Sequence, residues 1–215
     1  MDSMHTMTGL AGAAGAIAAS LLLVPGVERL GKSRIALLMG GILIGALLPL
    51  GELPAAAYVR SVIGDLSITT IVWLGCGLLR PLFDGHPVSA RTRVALQALI
   101  ALAALTLYPL ALGIGSFDPY RLGYGDPWFL GGLLALALAA WFARLPFIAL
   151  CIAFAVLAWA IGWYESTNLW DYLLDPLVSL YALFAIVLWG VAALRTPRGA
   201  TGAERNLRHP ATPCP

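Results

Sequence analysis

Five carboxylates, one guanidinium and a concentration of tyrosine and tryptophan fall in two short segments of the chain, residues 116–128 and 163–176. The carboxylates are Asp118, Asp126, Glu165, Asp171 and Asp175, and the guanidinium is Arg121. Groups of this kind would coordinate a cation or hydrogen-bond sugar hydroxyls, while the rings stack on apolar sugar faces. Arg121 with Glu165 and Asp171 is the expected polar centre, because a planar guanidinium fork suits a carboxylate or an anionic ligand. The spacing matches no EF-hand or other metal signature, so neither a metal nor a cofactor is expected.

A structural role competes for three of these residues. Asp118, Asp126 and Asp175 each precede a proline. Asp accepts the orphan amides of a helix start, its charge suits the positive helix end, and Pro fits the first helical position. All three are therefore expected to be helix caps. Asn168 with Asp171 three positions later has the spacing of a capping box for a further short helix.

Asp65 is a separate case. A helix beginning at Ala55 would carry it about 15 Å along the axis, where a carboxylate needs a partner or a proton and becomes a transport candidate. A break at Gly64 would make it one more cap, which is the preferred reading. Arg60 would not reach it on an unbroken helix, since five residues turn through about 140°.

Other chemistry is thinly represented. The three histidines, His5, His86 and His209, lie outside the apolar runs, so neither a bis-His haem nor a Ser–His pair inside a membrane is supported. Lys32 is the single lysine and sits between two apolar runs, which excludes a Schiff-base chromophore within one. Cys76 and Cys151 lie in apolar runs and Cys214 near the end, giving no disulfide framework. Phosphate-binding and dinucleotide fingerprints are absent, as is any basic run suited to nucleic acid.

The elements that must position these residues follow from composition. Of 215 residues, 60% are hydrophobic and 11% charged, with mean hydropathy +0.86. That charge is under half the usual share, too little to cover a soluble globule, and the hydrophobicity excludes disorder. The expected class is an all-α integral membrane protein. A bilayer core of about 30 Å takes roughly 20 apolar residues. Seven segments meet or approach this: 7–27, 35–51, 55–79, 94–115, 127–143, 146–164 and 176–194. In the third, an interfacial turn over residues 55–63 followed by a span after Gly64 would accommodate Arg60 and Asp65. Residues 1–195 then form one polytopic helical domain, and residues 196–215 a short basic tail expected to be disordered.

Orientation follows from Lys and Arg. Eleven of 13 fall on one side of this arrangement, and only Arg60 and Arg121 on the other; eight of 11 acidic residues face the opposite way. The N-terminus is therefore expected outside and the C-terminus in the cytoplasm, in a bacterial inner membrane. The first functional expectation is a non-enzymatic subunit or accessory of a cell-envelope machine. Its outer acidic and aromatic surface would meet a partner protein or lipid-linked glycan, with membrane lipids as neighbours. A small transporter using Asp65, and an interfacial enzyme using Glu165 or Asp171 as base with Arg121 for a phosphate, are the rivals.

Overall fold

The computed structural model describes residues 2–20, 31–83 and 88–195. Residues 21–30 and 84–87 and the basic tail, 196–215, lie outside the described residues. The fold is all-α apart from a two-residue antiparallel pairing, β1 (Pro49–Leu50) with β2 (Leu53–Pro54). Its helices are α1 (Asp2–Ser20), α2 (Lys32–Leu47), α3 (Ala55–Ile63), α4 (Ile68–Phe83), α5 (Ala90–Ala111), α6 (Pro127–Phe142), α7 (Pro146–Ala160), α8 (Trp170–Leu173) and α9 (Pro176–Arg195). A 3₁₀ helix, Pro119–Tyr124, precedes α6.

Two of them, Ala90–Ala111 and Pro176–Leu194, are long and apolar enough to cross a membrane. Apolar stretches at Gly9–Ala19, Ile68–Arg80, Pro127–Phe142 and Pro146–Ala160 are shorter. The expected third span is divided. Gly64 adopts φ 74°, a left-handed conformation that suits glycine, and the chain re-enters a helix only at Ile68. Pro109 lies within the last turn of α5, and Gly113 and Gly115 follow the end of that helix, both at positive φ.

Two groups of helices share α4. On one side, α1 packs against α2, α3 and α4. The buried stripe of α1 is Gly9, Ala13, Ala14 and Ala18, small side chains that admit close helix approach. Gly41 and Gly45, which form a GxxxG pattern on α2, face outward with open space beyond them. On the other side, α5 packs on α9, α6 on α7 and α7 on α4, around a core running from Leu96 and Ile100 through Ile148 and Ala155 to Val178 and Ala182. Many large apolar side chains point away from both cores, Leu37, Leu102, Leu134 and Phe184 among them. Water would make this exposure costly, at about 25 cal/mol per Å² of apolar surface; a hydrocarbon solvent would not.

Candidate functional site

At one end of the bundle, the segments after α3, α5 and α7 meet in a cap, and backbone chemistry decides which side chains are free there. Asp118 accepts from Tyr120 N–H at 2.9 Å. One oxygen of Asp126 accepts from Trp128 and Phe129 N–H at 2.9 and 3.0 Å. Asp175 accepts from Val178 N–H at 2.9 Å. Each Asp therefore contributes the acceptor that the first turn of a helix lacks.

Asp175 does more. It is 3% exposed, and its second oxygen accepts from Ser67 N–H at 2.9 Å, from Ser67 Oγ at 2.8 Å and from the Thr70 hydroxyl. Ser67 in turn caps α4 by accepting from Thr70 N–H at 3.2 Å. One carboxylate thus joins the N-terminal turns of α4 and α9, where both helix dipoles favour its charge. Nearby, Tyr164 donates to Leu66 O at 2.8 Å, tying the post-α7 segment to the same turn.

The second knot joins the 3₁₀ helix to α8. Asp171 accepts from the Tyr120 hydroxyl at 3.1 and 3.0 Å and from Ser166 Oγ at 2.5 Å. Asn168 Oδ1 caps α8 through Trp170 N–H at 2.9 Å, and its amide nitrogen donates to Tyr120 O at 2.9 Å. The capping-box spacing is used indirectly: Asn168 N–H donates to Ser166 Oγ, which donates to Asp171. Trp170 Nε1 reaches Pro119 O at 3.0 Å, and Leu169 N–H reaches Gly123 O at 2.8 Å. Gly123 admits no side chain, because a Cβ there would overlap the Asn168 amide. Burial first, and then the Asp171 charge and hydrogen bond, push the Tyr120 hydroxyl above its ordinary range.

The third feature corrects the reading of Asp65 as a helix cap. Ser67 holds that position, and Asp65 forms a two-bond ion pair with Arg60, Nε to Oδ1 at 2.6 Å and Nη2 to Oδ2 at 3.0 Å. The break at Gly64 removes the 140° separation that a continuous helix would impose. The hydrogen bond to Asp65 raises the Arg60 pKa further, against the lowering effect of burial, with the Glu165 charge adding in the same direction. Gly9 of α1 lies directly over this pair; a Cβ there would collide with both the guanidinium and the carboxylate.

The three residues expected to form a polar centre are therefore divided. Asp171 is engaged by Tyr120 and Ser166. Glu165 is exposed and acts on Arg60. Arg121 is exposed and makes no side-chain hydrogen bond or ion pair among the described residues. The sequence reading missed Tyr120, Ser166, Ser67, Thr70 and Gly9, whose residue types carry no signal until the loops are brought together. Among the described residues, no group of three or more His, Cys, Asp or Glu could hold a metal.

Beneath the cap, α6 leans on α7 and α5 on α9, leaving a groove of about 500 Å³ between α5 and α6. Leu99 and Ala103 line one wall, Gly132 and Leu136 the other, and Cys151 and Ile152 of α7 the floor. Its upper end is formed by Leu122, Asp126 and Trp128, the last 89% exposed. Comparison with known protein families, with curated proteins and with solved structures finds no match.

Proposed function

We propose that this chain is a seven-span integral membrane protein, with N-terminus outside and C-terminus in the cytoplasm. It works as a non-enzymatic subunit or accessory of a cell-envelope machine in a bacterial inner membrane. Its outward cap presents a braced aromatic and acidic surface to a partner protein or a lipid-linked glycan. Helices overlap each of the seven apolar segments, two of them long enough to cross a membrane, and their exposed apolar side chains favour a lipid solvent. The short α6 and α7 span by adding the residues that flank them, and α3 lies at the interface.

The observation that carries the functional part is the internal bracing of the cap. Asp171, Asp175, Asn168 and Trp170 hold loops to one another, so the surface is pre-organised. What it offers outward is Phe117, Arg121, Tyr124, Trp128 and Glu165. Rigid rings around a few charges are the composition of a recognition surface.

The test is purification from membranes in mild detergent, followed by identification of stoichiometric companions. The expected result is one envelope protein or lipid-linked glycan, retained by wild type and lost by Arg121→Lys or Glu165→Gln with the fold intact. Companions unaffected by either substitution would overturn the recognition surface. A transporter reading has one observation behind it: the break between α3 and α4 places a charge pair directly against α1. Liposome flux abolished by Asp65→Asn would favour it.

A further inference from the structure

We propose that the end of the bundle opposite the cap is a binding surface for anionic phospholipid, whose phosphates it takes on Arg34, Arg80, Arg91, Arg93 and Arg144. The inference rests on the membrane reading above and assigns a lipid class to the other face of the molecule.

The fold gathers these residues from separate helix ends. The bonds from Ser67 to Asp175 place the starts of α4 and α9 at the cap, and Gly9 over the Arg60–Asp65 pair places the first half of α1 there too. α1 and α4 therefore run away from the cap, and α2 and α5 begin at the far end. α6 opens at the cap behind Asp126, so its turn into α7 is also remote. That far end carries Lys32, Arg34, Arg80, Arg91, Arg93 and Arg144, all exposed, and no acidic residue among the described residues.

The five guanidinium groups are uncommitted: none makes a side-chain hydrogen bond or ion pair among the described residues. Several are also held where the backbone disfavours them. Arg91 and Arg93 fall in the first turn of α5, and Lys32 and Arg34 in that of α2, with no acidic residue beside them. The positive end of a helix dipole repels such charges. Arg144 joins α6 to α7 at φ 58°, and among the described residues it is the one non-glycine at positive φ. Leu145 N–H to Ala140 O and Arg144 N–H to Trp141 O close a Schellman turn around it, a position that glycine ordinarily takes. Charges kept at such positions point to a counter-charge outside the protein.

That counter-charge is a lipid phosphate in preference to an acidic protein, because apolar surface begins beside the arginines. Leu79 precedes Arg80, Trp141 and Phe142 lie just before Arg144, and Leu37 and Leu38 lie one turn beyond Arg34, all of them exposed. Tryptophan and arginine at the edge of an apolar surface mark the headgroup level of a bilayer. A guanidinium fork takes two oxygens of one phosphate. In a zwitterionic lipid the phosphate already has its own cation, so a net anionic headgroup gains most.

Purified full-length protein titrated with phosphatidylglycerol or phosphatidylcholine of identical chains tests this, read by native mass spectrometry and thermal shift. Wild type should bind phosphatidylglycerol about tenfold tighter at low salt, with the preference shrinking as salt rises. Arg91→Gln combined with Arg93→Gln should remove most of the preference, whereas Arg121→Gln at the cap should leave it intact. Arg144→Gly separates binding from folding. Glycine suits φ 58°, so unliganded stability should hold or rise while phosphatidylglycerol binding weakens about fivefold. Equal binding of the two lipids by wild type, or a preference untouched by the arginine variants, would overturn the surface. So would a stoichiometric acidic protein held by the same arginines with no lipid preference. Wild type that inserts into neutral vesicles yet shows no preference overturns this surface alone. Wild type that inserts into vesicles of no composition brings down the membrane reading and this surface with it.

Discussion

Asp175 and Ser67 stand 108 positions apart in the chain, yet one carboxylate oxygen of Asp175 accepts both the backbone N–H and the hydroxyl of Ser67. The other oxygen caps α9. A residue with the sequence signature of a local cap is thus a long-range clamp between two helices.

That distinction separates Asp175 from Asp126. An Asn has one acceptor oxygen and turns a donor toward the donors of Ser67 and Thr70. Asp175→Asn is expected to lose about 1–3 kcal/mol, because buried donors are left unmatched. Asp126→Asn is expected to stay within about 0.5 kcal/mol of wild type, since one oxygen does all the capping. Thermal unfolding of both variants in the same detergent checks the contrast.

Gly9 and the Arg60–Asp65 pair should be coupled. Gly9→Ala drives a methyl group into the pair and is expected to lose about 1–3 kcal/mol, the usual cost of overpacking. In an Arg60→Ala background the guanidinium is gone, and the same substitution should lose clearly less. A double-mutant cycle on thermal stability measures the difference; additive losses would separate α1 from the pair.

Tyr120 supplies an alkaline component of stability. Its hydroxyl is held neutral in the folded cap, above the ordinary tyrosine range of about 10. A raised folded pKa contributes stability that is whole below the unfolded pKa and is lost as pH climbs through the folded one. Stability should therefore fall above about pH 10, and Tyr120→Phe should make that fall shallower while lowering stability at neutral pH by about 1 kcal/mol. Unfolding midpoints between pH 8 and 11 report both effects.

Gln97 on α5 is 2% exposed, and its Oε1 has no hydrogen-bond partner among the described residues. Burying an unmatched acceptor is unfavourable, so Gln97→Met should lose nothing and gain up to about 1 kcal/mol. A loss beyond about 1 kcal/mol would mean that the amide holds something in the intact protein.

The helices were legible because apolar runs and punctuation coincide. Gly64 divided α3 from α4, and Asp-Pro pairs opened the 3₁₀ helix, α6 and α9. The contents of the cap were not legible. Asp171 resembled a free carboxylate until the loop from α7 placed it against Tyr120, and Arg60 was set aside by a continuous-helix geometry that Gly64 abolishes. Spacing reports neighbours within an element, whereas these partnerships join elements whose separation in sequence carries no signal. On α1, Gly9, Ala13 and Ala18 carry the packing. Most residues from Gly9 to Ala19 are small, so residue type alone could not choose the face.

The measurement that bears most directly on the account is the compartment of each loop. Reporter fusions after Gly31, Gly85 and Thr201 should all report the cytoplasm, and fusions after Gly123 and Ser166 the opposite side, as the 11-to-2 distribution of basic residues requires. The same compartment at Gly85 and Gly123 would contradict the seven-span arrangement and remove the cap from the outer face.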